Sequence, residues 1–412
     1  MGRLSGFLWE TFHTFFRNFN FPCELGLIRV GNPTVDSPVF VSGNYSLVVE
    51  RLLRVLQGTD CYLLVANSRG SNVWCAAGMN EYTEHDIVDA INVSHLSKIV
   101  RHRQIIAPPY AAPGVDIRAV KRETGFHIKW GPTHLDDIPA YIKHGYKRSN
   151  DMVQVQFGFR DRLEQALANT CTYSLTIAIG LLFIPKFILG LMALIAIGHL
   201  LWFCGWNWLP EERYWRRTAT VAAIMMLLVA SFGNLQGWSA SQFAIWLVTT
   251  LILVVVMGID GCGSSAVYKT TALHWITKGN YDSLFDPVID PERCTNCMQC
   301  VLVCPMSVFA AKRTGDYKVV AVHPDNCIDC MACVKQCDDD AFFNRSAEFK
   351  GDVKSVPNLA KIMTRDWSHL KDEDRWLNHP TTLRNGLPVL DTSGNGKATQ
   401  TAEQTHGSVA FS

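Results

Sequence analysis

The sequence predicts a multidomain chain: an α/β domain, an α-helical transmembrane domain and a small cysteine-rich α+β domain. Three observations predict it. Short apolar runs alternate with amphipathic stretches over the first 165 residues. Long, nearly uncharged apolar runs fill residues 171–260. Eight of the 14 cysteines fall between Cys294 and Cys337. A length of 412 residues accommodates two or three domains. The formal net charge of +1 and the lack of a basic run argue against a nucleic-acid partner. The N-terminus has no cationic start, compact apolar run or small-residue cleavage site, so no signal peptide is expected.

Residues 1–22 are aromatic, and Leu8, Phe12, Phe15 and Phe19 fall at helical spacing. A helix packed into a core and a helix lying in a membrane interface both fit that pattern. Residues 23–165 form the α/β domain. Pro38–Val41 and Tyr62–Ala66 read as buried strands, Leu47–Leu56 and Glu84–Ile91 as helices between them. That alternation predicts βαβ units around a mostly parallel sheet. Residues 166–280 form the transmembrane domain, with about four spans. Thr172–Phe203 is apolar apart from Lys186 and His199. At ~1.5 Å per residue it is too long for one crossing of a ~30 Å hydrocarbon core, and Pro185-Lys186 or Gly190 can break it in two. Thr218–Phe232 and Phe243–Gly258 add two more. Buried core helices are the alternative, but the runs are too long and too close together for it. An even number of crossings keeps both soluble parts on one side, and four satisfies that. Arg213, Arg216 and Arg217 then fall in a cytoplasmic loop, as the positive-inside rule prefers, while Lys186 falls outside. The cysteine module spans residues 285–345. Residues 346–412 are a C-terminal extension, disordered from about 380, where Gly, Thr, Ser and Asn leave little to bury.

The module holds an internal repeat. Its first run is Cys294-x2-Cys297-x2-Cys300-x3-Cys304-Pro305, and its second is Cys327-x2-Cys330-x2-Cys333-x3-Cys337-Asp338. This is the bacterial two-cluster ferredoxin pattern, in which the fourth cysteine of each run ligates the other cluster. Cys294, Cys297, Cys300 and Cys337 are therefore assigned to one 4Fe–4S cluster, and Cys327, Cys330, Cys333 and Cys304 to the second. A pair of structural zinc sites is the alternative, and the spacing with Cys-Pro after the first run argues against it. Asp338 stands where a proline is usual, but that proline is a turn residue, so ligation survives. Carboxylates at Asp338, Asp339 and Asp340 would make a close cluster harder to reduce. Cluster thiolates imply a reducing compartment, hence a cytoplasmic face.

After the strand-like Tyr62–Ala66 comes Asn72-Val73-Trp74-Cys75-Ala76-Ala77-Gly78. Small residues after the cysteine let another surface approach the backbone. On physics alone a lone cysteine before Ala-Ala-Gly also fits a packed core residue. The stretch resembles the cap-helix motif of HgcA, the corrinoid protein of microbial mercury methylation. Gly31-Asn32-Pro33, Ser37-Pro38-Val39, Asn44-Tyr45, Val100-Arg101-His102-Arg103, Ala112-Pro113-Gly114-Val115 and Gly131-Pro132 match in order. The cysteine module resembles the partner ferredoxin, HgcB, so the chain resembles a fusion of the pair. The resemblance covers roughly residues 25–165 and continues into the apolar region.

That resemblance implies a Rossmann-like corrinoid domain related to the corrinoid iron–sulfur protein of acetogens. Cys75 would be the lower axial ligand to cobalt, with Asn72, Val73, Trp74, Ala76, Ala77, Gly78 and Asn44 around the corrinoid. A thiolate is a soft, strongly donating ligand. Placed trans to a methyl group, it favours delivery of methyl as a carbanion equivalent or radical to an electrophile such as Hg(II). The clusters would return cobalt to Co(I), drawing on an external low-potential donor. The methyl group would come from a methyl donor protein or a methyltetrahydrofolate-dependent methyltransferase. The resemblance implies a multi-pass protein of the inner (cytoplasmic) membrane, in contact with lipid, with both soluble domains in the cytoplasm.

The sequence departs from that family in three places. Met79 follows Gly78 where a lysine is usual, and Ser46 follows Asn44-Tyr45 where a lysine is usual. No cysteine follows Cys337, whereas the partner ferredoxin ends in a cysteine pair. Mercury delivery would then fall to Cys262, Cys204, Cys23 or Cys61, with help from histidines in the 199–274 region, or the acceptor is another metal or metalloid. A membrane electron-transfer protein without methyl transfer is the reading from a different class.

Overall fold

The computed structural model describes residues 3–149, 152–156, 158–180, 185–209, 214–260, 287–311, 319–324, 327–328, 330–344, 381–384 and 387–390. They divide into two compact units. One comprises the described residues up to Phe19 and those of 156–260; the other comprises those of 20–155 and 287–390. The chain opens with helix α1 (Arg3–Phe15), which belongs to the first unit.

The second unit is built on a five-stranded sheet. Its strands are β1 (Gly26–Val30), β2 (Val39–Gly43), β3 (Cys61–Ala66), β4 (Gln104–Ala107) and β5 (His127–Trp130), in the order β1-β3-β2-β4-β5. β1 runs antiparallel to β3, and the other pairs are parallel. The connections are α2 (Ser46–Val55), α3 (Val73–Gly78), α4 (Glu84–Val93), α5 (Leu96–Ile99) and α6 (Ile117–Thr124), with α7 (Ile138–Lys143) after β5. Successive strand residues face opposite ways. Val39, Val41, Leu64 and Ile105 pack with Ile87 and Ile91 of α4 and Val120 of α6. Phe40, Leu63, Val65 and Ile106 pack with Val49 and Leu52 of α2 and Tyr141 of α7. Both faces are covered, which is why these strands read as continuous apolar runs. This is the α/β domain of the sequence reading, doubly wound. The chain passes from β3 across β2 to β4, so the strand order reverses between β2 and β4. In such sheets ligands bind beyond the carboxyl ends of the strands at that reversal.

The cysteine-rich module packs within the same unit. β6 (Pro287–Ile289) pairs antiparallel with β9 (Phe342–Asn344), and β7 (Phe309–Ala311) with β8 (Val319–Ala321). Two short helices, Gln299–Val303 and Ala332–Lys335, carry the repeat. The repeat is visible in the backbone: Met298 and Met331 both take positive φ just before these helices, and so do Ser307 and Asp340, three residues after Cys304 and Cys337. One expectation fails here. The region expected to be disordered from about 380 contains β10 (Thr381–Arg384) and β11 (Leu387–Leu390), an antiparallel pair, with β11 parallel to β7. The sequence carries the reason: Thr-Thr-Leu and Leu-Pro-Val-Leu flank Asn385-Gly386, a two-residue hairpin signal.

The first unit is helical. It comprises α8 (Phe159–Gly180), α9 (Pro185–His199), α10 (Tyr214–Leu235) and α11 (Ala240–Asp260), and a π-helical turn, Leu200–Cys204, prolongs α9. Leu194, Ile195, Trp202, Val221, Met225, Val254 and Met257 form its core. Its exterior is apolar too, with Leu189, Leu227, Phe232, Val248 and Ile252 each more than half exposed. Two segments, Arg216–Leu235 and Ala240–Gly258, are long and apolar enough to cross a membrane; Ile188–Cys204 is apolar but shorter.

Three details differ from expectation. The α/β domain ends near Val155 rather than 165. The polar start of α8, with its Arg160–Glu164 pair one helical turn apart, reads as soluble but belongs to the long helix. Arg216 and Arg217 lie in the first turn of α10 rather than in a loop, and Arg217 is buried. Leu8, Trp9 and Phe12 of α1 are exposed, which removes the core-helix option for that face.

Candidate functional site

The cap motif forms α3, immediately beyond the carboxyl end of β3. Asn72 caps it, its side-chain oxygen accepting from the Trp74 N–H at 2.9 Å. Val73, Ala76 and Ala77 are buried in the sheet's core and anchor the helix. Trp74 and Cys75 are half-buried and Gly78 is exposed. Cys75 forms no disulfide. The motif therefore divides by face: three residues fix the helix, while Trp74, Cys75 and Gly78 are left at its surface. Asn44 lies at the carboxyl end of β2. It is buried, and its side-chain oxygen accepts from the N–H groups of Ser68 and Gly70 at 2.9 and 3.0 Å. It shapes the loop that leads into the cap helix.

The loop after β4 completes this edge. Its 3-10 turn, Pro109–Ala111, presents Tyr110 to Trp74, with ring centroids 4.2 Å apart. Gly114 lies against the helix: a Cβ there would sit 2.1 Å from the Tyr82 carbonyl oxygen and 2.9 Å from Ala77 Cα. That explains the glycine in Ala112-Pro113-Gly114-Val115. Gly31-Asn32-Pro33, Ser37-Pro38-Val39 and Val100-Arg101-His102-Arg103 serve the opposite edge of the sheet. His102 Nε2 lies 2.8 Å from the Ser37 carbonyl oxygen, and Asp60 accepts from the Asn32 N–H at 2.8 Å. These hold the fold and lie away from Cys75.

The eight clustered cysteines line two small cavities, four to each. Cys294, Cys297, Cys300 and Cys337 line one; Cys304, Cys327, Cys330 and Cys333 line the other. The fourth cysteine of each run thus crosses to the other run's site. Among the described residues, no three His, Cys, Asp or Glu side chains converge as a single metal ion requires. Four cysteines spread around each cavity fit a cubane. Burial, reinforced by the neighbouring thiols, pushes the Cys300 and Cys333 thiols well up. A cationic iron–sulfur core is what would hold them as thiolates. The N–H groups of Val308 and Ala341 point at Cys304 Sγ and Cys337 Sγ, at 3.3 and 3.4 Å, again in equivalent positions. The three carboxylates after Cys337 differ in placement. Asp339 lines the first cavity and accepts from Thr295 N–H and Oγ1–H; Asp338 pairs with Arg118 of the α/β domain.

Comparison with known proteins agrees with this division. Residues 21–142 match a family described as the CO dehydrogenase/acetyl-CoA synthase delta subunit, and residues 286–338 match the 4Fe-4S dicluster domain. The gamma subunit of the acetyl-CoA decarbonylase/synthase complex of Methanopyrus kandleri is 28% identical over 126 residues, covering 29% of this chain and 26% of that protein. The corresponding subunit of Methanosarcina acetivorans is 27% identical over 125 residues, with the same coverage. Subunit gamma 2 of Methanosarcina mazei is 36% identical over 90 residues, 21% of this chain and 19% of that protein. The chain spans about a quarter of the length of the curated relatives it matches.

The structure adds residues that sequence reasoning missed, because they join the two modules. Gln336, buried, donates from Nε2 to the carbonyl oxygens of Ala112 and Val115 at 2.8 and 2.7 Å. Lys335 pairs with Glu84 at 3.4 Å, and Arg118 donates to the Lys335 carbonyl oxygen at 3.2 Å. Trp130 Nε1–H donates to Gln299 Oε1 at 3.4 Å, and Arg148 to the Leu302 carbonyl oxygen at 3.0 Å. Val303 and Ala332 join the α/β core. The module therefore docks over the carboxyl edge that carries the cap helix. Nothing in the spacing of Cys333-x3-Cys337 announces that its Gln336 faces another domain.

The other thiols are less available than expected. Cys61 is fully buried, and burial pushes its pKa up to about 11. Burial also raises Cys23. Cys204 is half-buried in the helical unit, and Cys262 lies outside the described residues. His199 is buried, with Nδ1 3.3 Å from Thr170 Oγ1 and its ring edge-on to Tyr173.

Proposed function

We propose that this chain is a membrane-bound, corrinoid-dependent methyl-transfer protein with its own two-cluster electron supply. One observation carries the reading: a half-buried cysteine on a cap helix at the carboxyl edge of a doubly wound sheet, with a dicluster module docked on the same edge. The gamma- and delta-subunit likenesses fall on that sheet and support it, since the family resemblance ties the domain to the corrinoid iron–sulfur protein of acetogens. Cys75 would hold the corrinoid's metal through sulfur, flanked by Trp74 and Gly78. A corrinoid held there would supply the methyl-transfer chemistry. The residues of this chain do the rest. Asn72 and the buried Val73, Ala76 and Ala77 fix the sulfur's direction, and Tyr110 braces Trp74. The apolar exterior of α10 and α11 supports residence in the inner membrane, since soluble surfaces rarely expose apolar area so continuously.

For the acceptor we propose Hg(II), a soft electrophile suited to a methyl group that a thiolate-held metal would make electron-rich. A second acceptor class, another soft metal or metalloid, is favoured by one observation: Cys61, a thiol that could receive mercury, is buried. The methyl donor would be a separate protein, such as a methyltetrahydrofolate-dependent methyltransferase. The test is the full chain purified anaerobically in detergent. Cobalt stoichiometric with protein, a visible spectrum that changes in Cys75→Ala, and methylmercury released from methylated protein are the expected results. Iron without cobalt would overturn the class in favour of a membrane electron carrier. Cobalt without methylmercury, but with methyl transferred to another metal ion, would overturn only the acceptor.

A further inference from the structure

The internal repeat provides its own comparison. Cys297 and Cys330 occupy equivalent places in the two runs, yet their surroundings differ. Cys297 is exposed. Cys330 packs against the α/β core, in the cluster that holds Val73, Ala76 and Ala77 of the cap helix, with Tyr110 also against it. Gln336, which lines the first cavity, also reaches the α/β domain, but it presents an amide there rather than a thiol. The first cavity is lined by the carboxylate of Asp339, whereas the described residues that line the second are its cysteines and apolar side chains.

We infer that the two clusters work in a fixed order. The cluster held by Cys294, Cys297, Cys300 and Cys337 accepts electrons from outside. The one held by Cys304, Cys327, Cys330 and Cys333 delivers them to the site at Cys75. This inference rests on the corrinoid reading. The external reductant is a low-potential one-electron donor, which meets the exposed Cys297 side. One electron at a time takes the outer cluster from the 2+ to the 1+ state. It then passes to the inner cluster, and from there to an acceptor metal at Cys75, where Co(II) becomes Co(I). No proton or covalent bond is exchanged between the clusters. Ala332 is a positioning residue in this scheme: it lines the second cavity and is buried in the α/β core, so it holds the inner cluster's face there.

The test is electron paramagnetic resonance of the full-length, corrinoid-loaded protein, with clusters reduced and cobalt held as Co(II). A nearby paramagnet speeds the relaxation of the closer cluster. Cys297→Ser alters the outer cluster's ligand and so marks its signal. We expect the fast-relaxing signal to be the one that Cys297→Ser leaves unchanged. If the substitution costs the module its fold, Asp339→Asn marks the same cluster through a shift in the potential at which its signal appears. A fast-relaxing signal that belongs to the marked cluster, or equal enhancement of both, would overturn the order while leaving the corrinoid reading intact. Protein with both clusters and no cobalt would overturn both.

Discussion

Cys75 can be removed without disturbing what holds it. Val73, Ala76 and Ala77 carry the packing of the cap helix, and Asn72 carries its first turn. Cys75→Ala is therefore expected to leave the fold and thermal midpoint nearly unchanged while altering the visible spectrum of the corrinoid-loaded protein; an unaltered spectrum would remove the sulfur from the metal. Gly114→Ala is the opposite case. Its new Cβ meets backbone atoms of Tyr82 and Ala77, which cannot swing aside as a side chain can. A loss of at least ~1–3 kcal/mol in chemical denaturation is expected, the usual cost of overpacking. Asp339→Asn removes a negative charge from the lining of one cluster cavity and keeps an acceptor for Thr295. The potential of that cluster should rise by on the order of tens of mV in a reductive titration, because less charge opposes the added electron. At this scale the sequence was readable where chemistry dictates spacing, as in the cysteine runs. It did not show where a polar residue also serves its own loop. Asn44 sits in a family-like motif, but its side-chain oxygen is used up by Ser68 and Gly70.

At the scale of elements, strands and helices were legible because both faces of the sheet are buried and each carries the full apolar pattern. Docking was not, because it depends on single residues at helix ends. The loop from Pro108 to Val115 is the joint. One end braces α3 through Tyr110 and Gly114, and the other gives two carbonyl groups to Gln336. Gln336→Leu would leave those two buried acceptors unpaired, at about 1–3 kcal/mol each. Faster hydrogen exchange over residues 109–118, with both cluster signals retained, is the expected outcome. A pH dependence belongs to the same joint. Burial alone would raise the Asp116 carboxyl, but Arg118 and the N–H groups that open α6 hold it below the ordinary carboxylate range. Its contribution is then present above about pH 3.9, the ordinary value for the unfolded chain, and is lost as pH falls through the lower folded value. Hydrogen exchange at the start of α6 should therefore accelerate only below that ordinary range, and Asp116→Asn should abolish the pH dependence.

At the scale of the molecule, the sequence separated a soluble α/β part, an apolar helical part and a cysteine module. It did not reveal that the first and third pack as one unit, since no periodicity records a contact between segments some 170 residues apart, such as Trp130 with Gln299. Nor did it separate the two jobs of apolar residues in the helical unit. Composition treats Val254 and Ile252 alike, yet Val254 is fully buried and Ile252 is 59% exposed. That difference makes the membrane reading testable with one substitution. Ile252 lies near the middle of α11 and faces outward, so Ile252→Lys adds no charge to the helical core. If α11 crosses a bilayer, the lysine costs about 2.5–3.5 kcal/mol of insertion free energy, and the variant should accumulate poorly in membranes. If the bundle were soluble, the same lysine would break up an apolar surface and raise yield in the soluble fraction without detergent. The two environments give opposite signs, and fractionation with immunoblotting against the full-length chain reads them. The membrane reading expects loss from the alkaline-washed membrane pellet, with no gain in the supernatant.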